Sequence, residues 1–160
     1  MKTYSLPAVI SNCSNNYGPR QYPEKLIPVV INCCLNNINI PVYGTGDNIR
    51  DWIHVFDHCD AIIELIDSDI INETFNIGGN NETTNIAIIN NICSIMNSLF
   101  PNKKKDHLEL ISFVKDRLGH DFRYAIDNSK ISKMTNWKPR IPFDSGLLET
   151  VKWFIDNGKN

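Results

Sequence analysis

The chain has 160 residues, with 16 Lys and Arg against 18 Asp and Glu for a formal charge of −2, and 42% of its residues are hydrophobic. That is the composition of one globular domain of ordinary size, able to bury roughly 68–70% of its extended surface without a disulfide or metal staple. The near-neutral balance speaks against a nucleic-acid or membrane-surface protein, no apolar run approaches the roughly 18 residues of a membrane span, and Met1-Lys2-Thr3-Tyr4 opens no signal peptide, so the expectation is a soluble, cytoplasmic chain.

In chain order, Leu6 to Cys13 reads as a buried strand around Ala8, Val9 and Ile10, and Ser14-Asn15-Asn16-Tyr17-Gly18-Pro19 as the turn that ends it. Pro23 suits a helical first turn, with Ile27, Val30, Ile31 and Cys34 recurring on one face. A short strand from Ile40 to Tyr43 closes in the turn Gly44-Thr45-Gly46-Asp47, and Arg50 to Val55 is the next strand. Asp57 is placed to cap a helix whose apolar positions are Ala61, Ile62, Leu65 and Ile66. Thr74 to Ile77 is a strand stopped by Gly78-Gly79. Thr84 then caps a helix bearing Ile88, Ile92, Ile95 and Leu99, which Pro101 ends. Lys103-Lys104-Lys105 reads as a solvated loop. Leu108 to Val114 and Arg123 to Ile126 are strands, and helices over Asn128 to Thr135 and Phe143 to Asn157 finish the chain. Strand and helix patterns interleave throughout, so the expected class is α/β, with no repeat and no linker separating independent domains.

Five cysteines (Cys13, Cys33, Cys34, Cys59 and Cys93) form no C-x-x-C pair, and their odd number points to buried free thiols. Asn occurs 21 times, Ile 23 times, and Lys outnumbers Arg 11 to 5, the bias of an AT-rich coding sequence. Where Arg persists in such a chain, its fork can do what an ammonium cannot. No G-x-G-x-x-G, P-loop, H-E-x-x-H or G-x-S-x-G is present, and His54, His58, His107 and His120 do not fall at metal-ligand spacings. No catalytic or metal-ligating set emerges. What remains is a binding surface for an anionic polar ligand. Asn15 and Asn16 follow a strand, at the sheet edge where ligands sit in open α/β folds. Arg50 follows a glycine turn, Arg117 lies in Asp116-Arg117-Leu118-Gly119-His120, and two converging guanidinium groups can clamp a diphosphate. Tyr43 can stack on a base.

Longer blocks carry a resemblance. Ser14 to Pro19 (S-N-N-Y-G-P), Tyr22 to Pro28 (Y-P-E-K-L-I-P), Tyr43 to Trp52 (Y-G-T-G-D-N-I-R-D-W), Thr74 to Glu82, Asp116 to Asp127, Trp137 to Pro139 and Val151 to Phe154 resemble the dTDP-glucose 4,6-dehydratase family of the extended short-chain dehydrogenase/reductases. The P-E-K-L-I-P and D-R-x-G-H-D blocks favour the dehydratase over related epimerases and decarboxylases. The resemblance covers essentially the whole chain but only the C-terminal half of the family pattern. It implies the last strands of a Rossmann-type parallel sheet (residues 1–18 and about 42–67) and a small α/β nucleotide-sugar-binding part (about 19–41 and 68–145).

The family oxidises C4 of a nucleotide-linked glucose with NAD, loses water across C5–C6 and returns the hydride to C6. Its Tyr-x-x-x-Lys pair, acid/base Asp-Glu pair and glycine-rich turn lie upstream of the matched region. By resemblance, Asn15 contacts the nucleotide sugar and Asn16 faces the nicotinamide end of NAD. Lys25 and Leu26 line the nucleotide pocket, Pro41, Val42 and Tyr43 surround the base, and Arg50, Asn85, Asp116, Arg117, Leu118, Gly119 and His120 hold the diphosphate and sugar. Leu118 departs from the family, which has Pro there, and so removes a fixed φ from that loop. The resemblance implies dTDP-glucose as ligand, a homodimeric family assembly, and a chain inactive alone that either pairs with a separately encoded N-terminal half or is unstable and prone to aggregate. A non-catalytic nucleotide-sugar-binding module, a gene remnant, and part of a related sugar-nucleotide epimerase or decarboxylase are the alternatives.

Overall fold

The structure, a computed structural model, describes residue 4, residues 6–103 and residues 105–158; Met1 to Thr3 and Lys104 of the lysine run lie outside the described residues. Among the described residues it is an α/β arrangement of three small sheets with helices packed against them. Strand β1 (Ile10–Cys13) runs parallel to β5 (Thr74–Ile77), Ile10 opposite Thr74 and Cys13 opposite Ile77. β3 (Ile40–Tyr43) runs parallel to β7 (Ile111–Val114). The hub is β4 (Ile49–His54), parallel to β2 (Asn15–Tyr17) and to β8 (Arg123–Tyr124) and antiparallel to β6 (Glu82–Thr84). Most of these pairs are parallel, which demands crossovers rather than tight hairpins. The helices α1 (Leu26–Asn36), α2 (Val55–Asp67), α3 (Asn85–Leu99), α4 (Ser129–Thr135) and α5 (Phe143–Asn157) supply most of them.

The larger core is made where α1, α3 and α5 meet. Ile27, Val30, Ile31 and Cys34 of α1 face Ile88, Ile89, Ile92 and Met96 of α3 and Leu147 and Val151 of α5, all buried. The i, i+3, i+4 spacing puts these residues on one stripe of each helix. A second cluster joins Ile53, Ala61, Leu65, Phe75, Ile77, Ile131 and Trp137 around α2 and α4. Thr84 caps α3 as its position implies, its hydroxyl accepting from Ala87 N–H at 3.3 Å. Asn37 ends α1 in the left-handed region, and the backbone N–H groups of Asn37 and Ile38 close on Cys34 and Cys33. Asn72, Asn80 and Asn136 adopt the same left-handed conformation.

Several elements differ from the sequence reading. The segment after β1 is a short strand, β2, because three of its residues find partners on β4 about 37 positions away. α1 begins at Leu26 rather than near Pro23, since Lys25 N–H closes a turn on Tyr22 and leaves Lys25 extended; Pro28 then falls in the first turn, where its missing N–H costs nothing. His54, not Asp57, caps α2. The first half of the strand expected from Leu108 is a 3₁₀ turn (His107–Leu110), held by a capping box between Asp106 and Glu109. β1 is shorter than expected and mostly exposed, because among the described residues it pairs with β5 alone. Beside it, Val9, Ser11, Ile62, Leu65 and Ile66 line a shallow apolar cavity of about 270 Å³. All five cysteines are free, with Cys33, Cys34 and Cys93 buried but Cys59 exposed on α2. No described helix is long and apolar enough to cross a membrane.

Two buried carboxylates tie distant loops to this frame. Asp51 of β4, 1% exposed, accepts from Gly79 N–H at 2.9 Å and Asn81 N–H at 2.7 Å. Asp57 accepts from the N–H groups of Arg140 and Ile141, both at 3.0 Å, while its carbonyl accepts from Trp137 Nε1. Gly79 must be glycine, since a Cβ there would lie 1.8 Å from the Trp52 carbonyl oxygen. Asp51→Asn replaces one acceptor by an N–H₂ that faces a backbone donor. It is expected to lower unfolding stability by about 2–3 kcal/mol, read as a fall in the urea midpoint at unchanged slope.

Candidate functional site

A cavity of about 680 Å³ opens where β2 and β4 run side by side and α1, α3 and the 115–122 loop begin or end. The register sets Asn15 opposite Trp52 and Asn16 opposite Ile53, so the asparagines leave the strand beside Arg50 and Trp52. Of the residues expected at the site, Asn15, Asn16, Lys25, Leu26, Pro41, Tyr43, Arg50, Asn85, Arg117 and His120 line this cavity. They come from β2, the start of α1, β3, β4, the first turn of α3 and the loop after β7, brought together by parallel pairing across most of the chain. Val42 does not line it, because strand alternation turns it into the core. Asp116 lies behind, close to Gly44. Leu118 is 98% exposed and away from the lining, and Gly119 bends the loop at φ +69°.

Sequence reasoning missed Ser14, Gln21, Tyr22, Glu24, Val29 and Trp52, which complete the lining. Four of them sit inside the quoted blocks, so their position was on view, but no residue type among them signals ligand chemistry by itself.

Several of the polar side chains at the cavity are held by the fold, while Ser14 Oγ, Gln21 Oε1 and Trp52 Nε1 are buried without a hydrogen-bond partner among the described residues. Asn16 Nδ2 donates to the Ser14 carbonyl at 3.1 Å, and its Oδ1 lies 2.9 Å from His58 Nδ1, which must therefore carry the proton. Gln21 Nε2 donates to the Asn16 carbonyl at 2.7 Å. Arg50 donates to the carbonyls of Ile49 at 2.7 Å and Asp121 at 2.8 Å, so its fork braces the far loop as well as lining the cavity. The Arg117 guanidinium lies over the Tyr43 ring, 5.0 Å from its centroid, and occupies the face a base would stack on from that side. His120 bridges Arg117 and Asp116. The His120 hydrogen bond, then the Arg117 backbone N–H, hold the Asp116 carboxyl below its ordinary range. Burial pushes the imidazoles of His58 and His54 below their ordinary value, in His54 against the pull of Asp57 and Glu149. Burial, followed by Asp57, Asp144 and Glu149, raises the Tyr17 phenol, which therefore stays neutral. The arrangement can grip a polar anion between two guanidinium groups and a lysine; it presents no nucleophile paired with a base.

Residues 1–150 match a protein-family model described as GDP-mannose 4,6 dehydratase. The chain is 48% identical over 159 residues to a Neisseria gonorrhoeae dTDP-glucose 4,6-dehydratase, an alignment covering 98% of this chain and 46% of that protein. It is also 48% identical over 158 residues to dTDP-glucose 4,6-dehydratase 1 of Escherichia coli K12, covering 99% and 44%. Among solved structures, a Bacillus anthracis dTDP-glucose 4,6-dehydratase in complex with NAD superposes with a TM-score of 0.86 at 45% identity, over 99% of this chain and 48% of that one. A Thermotoga maritima UDP-glucose 4-epimerase reaches 0.83 at 23% identity over 99% and 49%, and shows likeness of fold alone. The chain thus spans about half the length of the curated relatives it matches.

The buried histidines set a pH dependence. His54 and His58 are held neutral in the fold, so the unfolded chain takes up their protons first. Stability is complete above the ordinary imidazole value of about 6.5 and falls as the pH drops below it. The urea midpoint is expected to decrease between pH 7.5 and 5.5, before the low-lying carboxylates contribute below about pH 4; a flat profile contradicts this.

Proposed function

The chain belongs to the family described as GDP-mannose 4,6 dehydratase, and from that premise we propose that it forms the nucleotide-sugar-binding part of a dTDP-glucose 4,6-dehydratase. The observation that carries this reading is the single 680 Å³ cavity on which Asn15, Lys25, Arg50, Asn85, Arg117 and His120 converge from five separate segments. Its cationic groups suit a diphosphate. The identity to dTDP-glucose enzymes supports thymine as the base. Pro41 and Tyr43 then border the base, Arg50 and Arg117 the diphosphate, and Asn15 and Asn85 the sugar.

In this reading residues 1–18 and about 42–67 belong to the Rossmann-type sheet and about 19–41 and 68–145 to the nucleotide-sugar part, with β5 on the sheet side because it pairs with β1. Bound NAD would supply the hydride chemistry of such a dehydration, an oxidation at C4 of the glucose reversed at C6 once water is lost across C5–C6, which would yield dTDP-4-keto-6-deoxy-glucose. Asn16 is the residue of this chain that fits the edge of a nicotinamide pocket: its amide is fixed at both ends, by Ser14 and His58, and cannot rotate freely. The sequence given contains no glycine-rich phosphate turn and no Tyr-x-x-x-Lys. The redox and acid/base groups therefore come from residues outside it, and the exposed flank of β1 and α2 supports a covering segment there.

Calorimetry of the chain with dTDP-glucose tests the grip. Binding is expected, and Arg50→Ala or Arg117→Ala should each weaken it by about 1.5–3 kcal/mol; unchanged affinity in both variants refutes the diphosphate assignment. A 4-keto sugar assay on the same chain should give no product, and turnover would relocate the catalytic groups.

A further inference from the structure

The 115–122 loop contains a short relay whose chemistry fixes a proton. His120 Nδ1 lies 2.7 Å from Asp116 Oδ1, and His120 Nε2 lies 3.0 Å from a terminal nitrogen of Arg117. A guanidinium has donors only, so the second contact requires a lone pair on Nε2. The ring proton must then sit on Nδ1, where Asp116 accepts it. The His120 side chain is 6% exposed, so both nitrogens depend on these partners rather than on solvent. Asp116 is fixed in turn by the Arg117 backbone N–H at 2.8 Å. At the other end, the same guanidinium lies over Tyr43 on β3. Three residues of one loop thus determine where one cationic fork points.

We propose that neutral His120 is a positioning residue that aims Arg117 at the cavity, and that a second proton on its ring releases Arg117 and loosens the grip on the nucleotide sugar. This rests on the nucleotide-sugar reading of the cavity. Protonation places an N–H on Nε2, directed at the N–H groups of a guanidinium of like charge, while the bond to Asp116 becomes a full ion pair. The ring stays with Asp116 and the guanidinium leaves. The charged and titratable groups around this ring are Asp116 and Arg117 of its own loop, Asp121 beside it and Tyr43 of β3. Across the same cavity stand Arg50 of β4, and Glu24 and Lys25 ahead of α1. A second imidazole, His58, acts on the opposite wall through Asn16, so the test must separate the two.

The relay is read without ligand. Nitrogen-detected NMR of the imidazole rings at pH 7.5 should show His120 as the Nδ1–H tautomer. On acidification toward pH 5, where imidazoles gain charge, the Tyr43 ring signals should move together with those of the His120 ring. An Nε2–H tautomer, or Tyr43 signals indifferent to His120, overturns the proposal. The gating is read by calorimetry with dTDP-glucose, whose doubly esterified diphosphate keeps its charge over this range. Affinity should fall about tenfold or more between pH 7.5 and the doubly protonated state. His120→Gln presents an acceptor near Nε2 that does not titrate, and Arg117→Ala removes the gated group. Whatever affinity each retains, the decline should shrink to whatever His58 contributes in both. A decline as steep as wild type in both variants overturns the gating. Absence of dTDP-glucose binding at every pH refutes the nucleotide-sugar reading instead, and leaves the NMR experiment to judge the relay.

Discussion

The carboxylate of Asp51 is the fixed point from which the site is built. It sits inside β4, between Arg50, which lines the cavity, and Trp52, which stands opposite Asn15. By accepting two backbone N–H groups it pins the loop from Gly79 to Asn81 onto the strand. That loop leads into β6, and β6 leads into α3, whose first residue is Asn85. Removing the carboxylate altogether would leave both backbone donors without their partner, and a desolvated donor left unpaired costs more than a hydrogen bond yields. One side chain therefore couples the order of a loop to the placement of cavity residues on both sides of it.

The site in turn shows how parallel pairing assembles chemistry from distant sequence. Asn15 and Arg50 are 35 positions apart, and Arg117 is a further 67, yet all border one cavity. The electrostatics follow the same plan. Arg50 is restrained by backbone carbonyls and Arg117 by the His120 imidazole and the Tyr43 ring, so less side-chain entropy remains to be lost when an anion enters.

What the sequence made legible follows range of interaction. β3, β5, the cap of α3 and the whole of α5 are local features, set by alternation, a capping hydroxyl and a recurring apolar stripe, and they stand where the pattern puts them. β2 and β6 are three-residue strands of Asn, Tyr, Glu and Thr, with no apolar alternation; only pairing with β4 makes them strands. Asp57 has the residue type of a cap, but its oxygens are claimed by backbone groups more than 80 positions later, which no local rule reveals. The cavity residues were legible through long blocks rather than through single motifs. The inward turn of Val42 and the outward one of Leu118 were not, because block membership says nothing about which face a side chain takes.

The left-handed corners have an evolutionary reading. Four asparagines, Asn37, Asn72, Asn80 and Asn136, hold backbone conformations that most side chains resist at roughly 1–2 kcal/mol each. Asparagine is one of the few residues besides glycine that visits this region routinely. A mutational pressure that floods a coding sequence with asparagine codons would weaken most folds inside their helices and strands, where asparagine is a poor former. Here the bends are where the surplus does least harm, and composition that looks like drift is absorbed as geometry.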